Sequence, residues 1–293
     1  MRFGNSAKGI YSIFTLMRST AKLYVSPLPA GHRSSALRVT IYFYVSTMPP
    51  SLLALNLANI EQQISAAATR SGRSRDAITL IAVSKTHPAS AIRDAYDAGL
   101  RHFGENRVQE WEGKRSDVLS LPDAVWHLIG HLQSNKAARA SRIFHTIDAV
   151  DDLSLADRLD RARSQEAPRE SALLAVAGSR KLRTLIEVRV AHEDNKHGVN
   201  LTDLPAFVEK IALLPELDLA GLMCIPPFLE DPEQVRPFFR KLREIRDDLA
   251  KRMGRPLPVL SMGMSHDFSV AIEEGATEVR IGTALFGSRE GAK

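Results

Sequence analysis

Lys85 closes the apolar run Ile78-Thr79-Leu80-Ile81-Ala82-Val83-Ser84, just before Thr86-His87-Pro88. A buried parallel strand rarely finishes on an ammonium, because the charge has to leave water. Taken alone, the segment reads as a lysine whose aliphatic stem snorkels out of a strand end. The alternative is an amine in a polar pocket. Burial and nearby cations would lower its pKa and free its lone pair to attack a carbonyl carbon as a Schiff-base lysine.

The elements around Lys85 decide between these readings. Leu52, Leu53, Leu57, Ile60 and Ile64 recur at helical steps, and the strand ending at Lys85 follows. A helix over residues 89–98 is closed by Gly99, and His102-Phe103-Gly104-Glu105-Asn106 then leads into a charged helix over 107–115. Further strands are predicted at 126–130, 144–150, 184–190, 219–225, 259–264 and 278–282. Helices are predicted between them, and the longest carries Val235, Phe238, Phe239, Leu242, Ile245 and Leu249 on one stripe. Residues 165–183 read as a lengthened connection. Eight strands in strict alternation with helices predict an α/β fold of the single (β/α)8 TIM-barrel type, in a domain over residues 48–293. An open doubly wound sheet seldom needs eight.

In such a barrel the active face is the C-terminal end of the strands, and chemistry-bearing residues accumulate there. Lys85 ends the first strand, Asn106 the second, and His131 follows the third. Glu193, Asn195, Lys196 and His197 follow the fifth, Ser265 the seventh, and Arg280 to Thr283 close the eighth. The loops after strands seven and eight are the habitual phosphate cradle of barrels. Here they read Ser261-Met262-Gly263-Met264-Ser265-His266-Asp267 and Arg280-Ile281-Gly282-Thr283. Gly263 and Gly282 allow close backbone approach, Ser265 and Thr283 offer hydroxyls, and Ser265 is placed to cap the next helix. A phosphorylated aldehyde held as a Schiff base is the natural ligand, and pyridoxal 5′-phosphate is the common one.

With Leu80-Ile81-Ala82-Val83-Ser84-Lys85-Thr86, Phe103-Gly104-Glu105-Asn106 and Trp126-His127-Leu128-Ile129-Gly130-His131-Leu132-Gln133-Ser134-Asn135-Lys136 in order, the sequence resembles the YggS/PROSC family of pyridoxal phosphate homeostasis proteins. Leu260 to Asp267 and Val279 to Thr283 strengthen the resemblance, which spans residues 48–293. It implies a cofactor barrel of the alanine racemase N-terminal-domain type, with Lys85 on the cofactor aldehyde, Asn106 beside the ring and Arg280 facing the pyridine nitrogen. Ser265, Gly282 and Thr283 would hold the phosphate, with Met262 and Gly263 also counted as cofactor-binding. Arg189 departs from the asparagine common at its position in the family. Residues 1–47 have no counterpart in typical members.

Other candidates carry less. His127 and His131 share a four-residue spacing on a strand and its exit, which does not make the helical pair of a zinc site. Asp148, Asp151 and Asp152 suggest a metal cluster at first sight, yet the last two read as helix N-terminal acids. No metal is expected. Lys196 is either a solvated loop lysine or a second, transient aldehyde-reactive site. Cys224, the only cysteine, lies in an apolar run, excludes an internal disulfide and suits a reducing compartment.

The net charge of +5 does not describe the domain. Six of the 39 basic residues and no acidic ones lie in residues 1–47, leaving 33 basic against 34 acidic residues from 48 onward. The basic balance is therefore no argument for nucleic-acid binding. Residues 1–47 read as a transit-like leader or, preferred, as an extension upstream of a start at Met48, physically a disordered tail. No apolar run reaches membrane-spanning length.

The expectation is a cytoplasmic, monomeric pyridoxal phosphate binding protein without a dedicated reaction, whose partners are the cofactor and apoenzymes that use it. The competing expectation is a single-domain amino-acid racemase. Two-base racemisation needs an acid–base group opposite the lysine, and Tyr96, the only tyrosine beyond residue 47, is predicted on an outer helix.

Overall fold

The computed structural model describes residues 50–165, 181–191 and 197–287. It divides the chain into two units, residues 1–51 and 52–293, and the architecture below belongs to the second. The unit is a closed barrel of eight parallel strands in sequence order: β1 (Thr79–Val83), β2 (His102–Glu105), β3 (Val125–Leu128), β4 (Thr146–Val150), β5 (Leu182–Glu187), β6 (Leu217–Met223), β7 (Val259–Ser261) and β8 (Glu278–Ile281). Its helices are α1 (Leu52–Arg70), α2 (Ala89–Asp97), α3 (Val108–Val118), α4 (Ala137–Ser141), α5 (Leu153–Ser164), α6 (Leu204–Ala212), α7 (Arg236–Met253), α8 (Phe268–Glu273) and α9 (Thr283–Phe286).

Every expected strand is present, with shifted ends. β5 begins at Leu182, inside the stretch read as a connection, and residues 166–180 lie outside the described residues. Among the described residues the longest helix is α1 at 19 residues, one more than α7. The apolar stripe of α1 puts Ile60 and Ile64 into the core. Its Asn56 side chain donates to the Leu285 carbonyl at 3.0 Å, tying α1 to α9 where β8 meets β1. No described helix is long and apolar enough to cross a membrane.

The barrel interior is polar at both ends. Along β5 the two-residue alternation turns Arg183, Leu185 and Glu187 inward. Arg183 ion-pairs with Glu278 of β8, three strands away, a contact that must cross the barrel interior. Beside it His127 Nδ1 lies 3.0 Å from Asp148 Oδ2, and His127 Nε2 lies 2.9 Å from His102 Nδ1. These groups form the floor of the barrel. Leu185, Met223 and Val259 make an apolar layer above it, and Glu187, Ser261 and Arg280 reach toward the mouth.

Candidate functional site

At the mouth, Arg280 is 3% exposed and fixed on two sides. Its Nη1 donates to Ser261 Oγ at 2.9 Å and its Nη2 to the Cys224 carbonyl at 2.8 Å. Both acceptors are neutral, and the carboxyls of Glu187 and Asp267 are near enough to feel the guanidinium charge. The Cys224 thiol is pushed up to about 12 by burial.

Lys85 sits half-buried in the turn just past β1 rather than within the strand. β1 pairs with β8 through Ile81↔Arg280 and Ala82↔Ile281, so the turn carrying Lys85 emerges beside Gly282 and Thr283. The next residue, Thr86, has a φ of 65°, a left-handed conformation that a β-branched side chain resists. Its N–H donates to the Glu110 carboxylate, which holds it there. Behind the turn, Lys114 Nζ donates to the Ser84 carbonyl and to Glu105 and Glu110, each at 2.9 Å, while Ser84 Oγ donates to Glu105 at 2.7 Å. Ser84 thus faces outward, toward α3. For Glu105, burial outweighs Lys114 and raises its pKa. For Glu110, burial is outweighed by Lys114 and the Thr86 N–H, and its pKa is lowered.

Asn106, Gly263, Ser265, Gly282 and Thr283 gather at the same end, and one expected role, the Ser265 cap, is corrected. Asn106 directly follows β2 and is half-buried. Gly130 packs on it so closely that a Cβ there would lie 2.6 Å from the Asn106 carbonyl oxygen. Gly263 adopts φ +92°, and its carbonyl accepts the Arg280 backbone N–H at 3.0 Å. Gly282 is half-buried against Val83, and Thr283 is exposed at the start of α9. Ser265 does not cap α8. Asp267 occupies the cap position and its Oδ1 accepts the Met264 N–H at 2.6 Å, while Ser265 Oγ accepts the Ala284 N–H at 3.2 Å and joins the two loops. The Met262 side chain is fully buried in the apolar layer between sheet and helices, because its neighbour Ser261 is the one facing inward. Only the backbone of Met262 is left to line the mouth.

His127 and His131 part company: the first is in the floor with Asp148, the second on the rim near Asp151. Asp152 caps α5 through the Leu155 N–H at 2.9 Å, but Asp151 is no helix acid. Its Oδ2 accepts the Gly198 N–H at 3.3 Å and faces His131 and His197. Glu193, Asn195 and Lys196 lie outside the described residues. Glu187, unmarked in the sequence reading, stands below this rim. Burial raises its pKa to about 7, helped by the Asp151 charge and opposed by Arg280. The alternation Arg183-Leu185-Glu187 is the signal that would have found it.

The donor set fits a phosphorylated aldehyde: an amine at one strand end, a fixed buried guanidinium, and two loops that offer the Ser265 and Thr283 hydroxyls and the half-buried backbone of Gly282. Residues 55–290 match the family described as alanine racemase, N-terminal domain. The chain is 44% identical over 234 residues to a pyridoxal phosphate homeostasis protein of Aquifex aeolicus, covering 80% of this chain and 97% of that one. It is 42% identical over 245 residues to the protein of that name from Escherichia coli K12, covering 82% and 98%. Among solved structures, PipY of Synechococcus elongatus PCC7942 with pyridoxal phosphate bound superposes with a TM-score of 0.68 at 37% identity, covering 80% of this chain and all of that one.

Proposed function

The chain belongs to the pyridoxal phosphate homeostasis protein family, and we propose that it binds pyridoxal 5′-phosphate reversibly, as a Schiff base on Lys85, to buffer and deliver the cofactor. The observation that carries this reading is Arg280, buried in the mouth and anchored to Ser261 and Cys224 beside the strand whose end carries Lys85. Bound there, the cofactor supplies an amine-reactive aldehyde and an electron-accepting ring. Lys85 supplies the amine, and the Thr86 turn and Lys114 hold that amine at the mouth. Ser265, Thr283 and the backbones of Gly263 and Gly282 receive the phosphate, with Asn106 against the ring. Arg280 would lie at the ring nitrogen, where a guanidinium, which keeps its protons at neutral pH, would offer hydrogen bonds without transferring a proton.

The same geometry argues against a dedicated reaction. Tyr96 Oη donates to the Pro122 carbonyl at 2.8 Å, just ahead of β3 and so at the floor end of the barrel, opposite Lys85. It cannot serve as the second base of a racemase. The protein is proposed to act in the cytoplasm as a monomer, passing cofactor to apoenzymes.

Two measurements test this. Purified protein should show a visible cofactor band, and borohydride should fix the cofactor to Lys85. Lys85→Ala with the same band at full occupancy would refute the assignment. Incubation with L-alanine in deuterium oxide should give no sustained racemisation. Racemisation lost in Lys85→Ala and in His131→Asn would instead make the protein a single-domain racemase.

A further inference from the structure

Three consecutive strands present metal-ligating side chains at one side of the barrel mouth. His131 follows β3, Asp151 follows β4 and His197 lies in the loop after β5. One potential ligand atom from each lies within 4.8 Å of the others. His131 Nδ1 is 3.5 Å and His197 Nδ1 3.7 Å from the same carboxylate oxygen, Asp151 Oδ2. Both separations are too long for a charge-assisted hydrogen bond. They match a different geometry. Ligands bound at about 2.0–2.2 Å around a tetrahedral ion stand roughly 3.3–3.6 Å apart.

We propose that His131, Asp151 and His197 form a site for a divalent transition-metal ion of the zinc class, completed by water or by a carboxylate-bearing ligand at the open mouth. Two imidazoles and one carboxylate are a donor set that suits zinc, cobalt or nickel over magnesium or calcium. The Asp151 side chain is only 9% exposed, and the Gly198 N–H at 3.3 Å orients its Oδ2 toward the rings. Its Oδ1 is buried without a hydrogen-bond partner among the described residues, so the carboxylate is under-compensated where it stands.

The two imidazoles are stacked, with centroids 3.8 Å apart and planes 10° from parallel. An ion lies in the plane of each ring that binds it, so the rings must turn about χ2 to converge. That torsion is broad and the turn is inexpensive. Loading should therefore separate the stack. The site rests on these three side chains alone and stands independently of the cofactor reading.

Cobalt(II) and zinc(II) titrations of the full-length protein at pH 7.5 test it, by visible absorbance for cobalt and calorimetry for zinc. Wild type should bind one equivalent with a cobalt band of low-symmetry coordination. His131→Asn/His197→Asn should weaken binding by more than the roughly 10–100-fold that loss of an outer-shell partner costs. Both histidines are solvent-accessible, so this variant should keep its melting temperature. Asp151→Asn, which keeps the shape, should lose the site too, and His266→Asn should not. The cofactor band should survive in all of them. Equal affinity and stoichiometry in the double variant, or no saturable binding by wild type, would overturn the proposal.

Discussion

Lys114 Nζ lies 2.9 Å from Glu105 Oε1, with side-chain exposures of 11% and 0%, and the same ammonium holds the carbonyl of Ser84. A buried ion pair on the outer face of the barrel is thereby wired to the residue before Lys85. Its net worth to stability is small, because desolvation offsets most of the attraction, but removing one partner strands the other.

Lys114→Met should destabilise the protein by about 3–5 kcal/mol in urea unfolding, since Glu105 is left buried and uncompensated. Replacing both with Lys114→Met/Glu105→Leu should recover much of that loss. Both variants lose the anchor on Ser84 and on Glu110, the acceptor for Thr86. Cofactor capture at Lys85 should be weakened in both, even where stability returns. Absorbance titration with pyridoxal phosphate separates the two effects.

The fold was legible because its signals are local and repeated: each strand is a short apolar run stopped by polar or turn residues, and each helix shows its own period. Lys85, Ser265, Arg280 and Thr283 were legible for a related reason, since barrel topology assigns strand ends to one face before any contact is known. What stayed hidden depends on contacts between distant elements. Lys114 sits in a charged helix and looks like a solvated residue until Glu105 is found beneath it. Leu182 and Arg183 looked like loop because their polar member is inward-facing, and an arginine inside a barrel is intelligible only once Glu278 is seen across from it. Asp151 looked like a helix acid because its partners, His131 and His197, lie in other loops.

Gly130→Ala should perturb Asn106 specifically. The added methyl would stand 2.6 Å from the Asn106 carbonyl oxygen and 3.0 Å from its Cα, both backbone atoms that cannot swing away. A cost of about 1–3 kcal/mol is expected, together with weaker cofactor affinity, measured by denaturant unfolding and absorbance titration.

Glu187→Gln should stabilise the cofactor-free protein at alkaline pH. The folded carboxyl ionises only near 7, against 4.5 as the ordinary value. Between those values the folded state holds a proton that the unfolded chain has lost, so its contribution to stability is full below pH 4.5 and gone above 7. The amide escapes that loss. The gain over wild type should grow from nearly nothing at pH 4.5 to at most about 3 kcal/mol at pH 8.5, read as a rise in melting temperature. A gain independent of pH would mean that the carboxyl ionises normally.

The floor of the barrel predicts the acid limit of stability. Burial, then the neighbouring His127 and Arg183, hold His102 down at about 3, while Asp148 pulls the other way. Burial and His127 hold His145 at about 4. His145 Nδ1 accepts the Trp126 N–H at 3.0 Å, a bond that protonation of that nitrogen would break. Both folded values lie below the unfolded 6.5, so the unfolded chain takes up protons first as the pH falls. The stability these two histidines contribute is complete above about pH 6.5 and drains away toward pH 3 to 4. The carboxyls of Glu187, Glu105 and Asp267, raised by burial, act in the opposite direction. The two histidines contribute a downward slope of unfolding free energy as the pH falls from 6.5 to 4.5. His102→Gln, which keeps a polar group beside His127 but cannot take a proton, should flatten that slope. An unchanged slope in His102→Gln/His145→Gln would place the acid sensitivity elsewhere in the molecule.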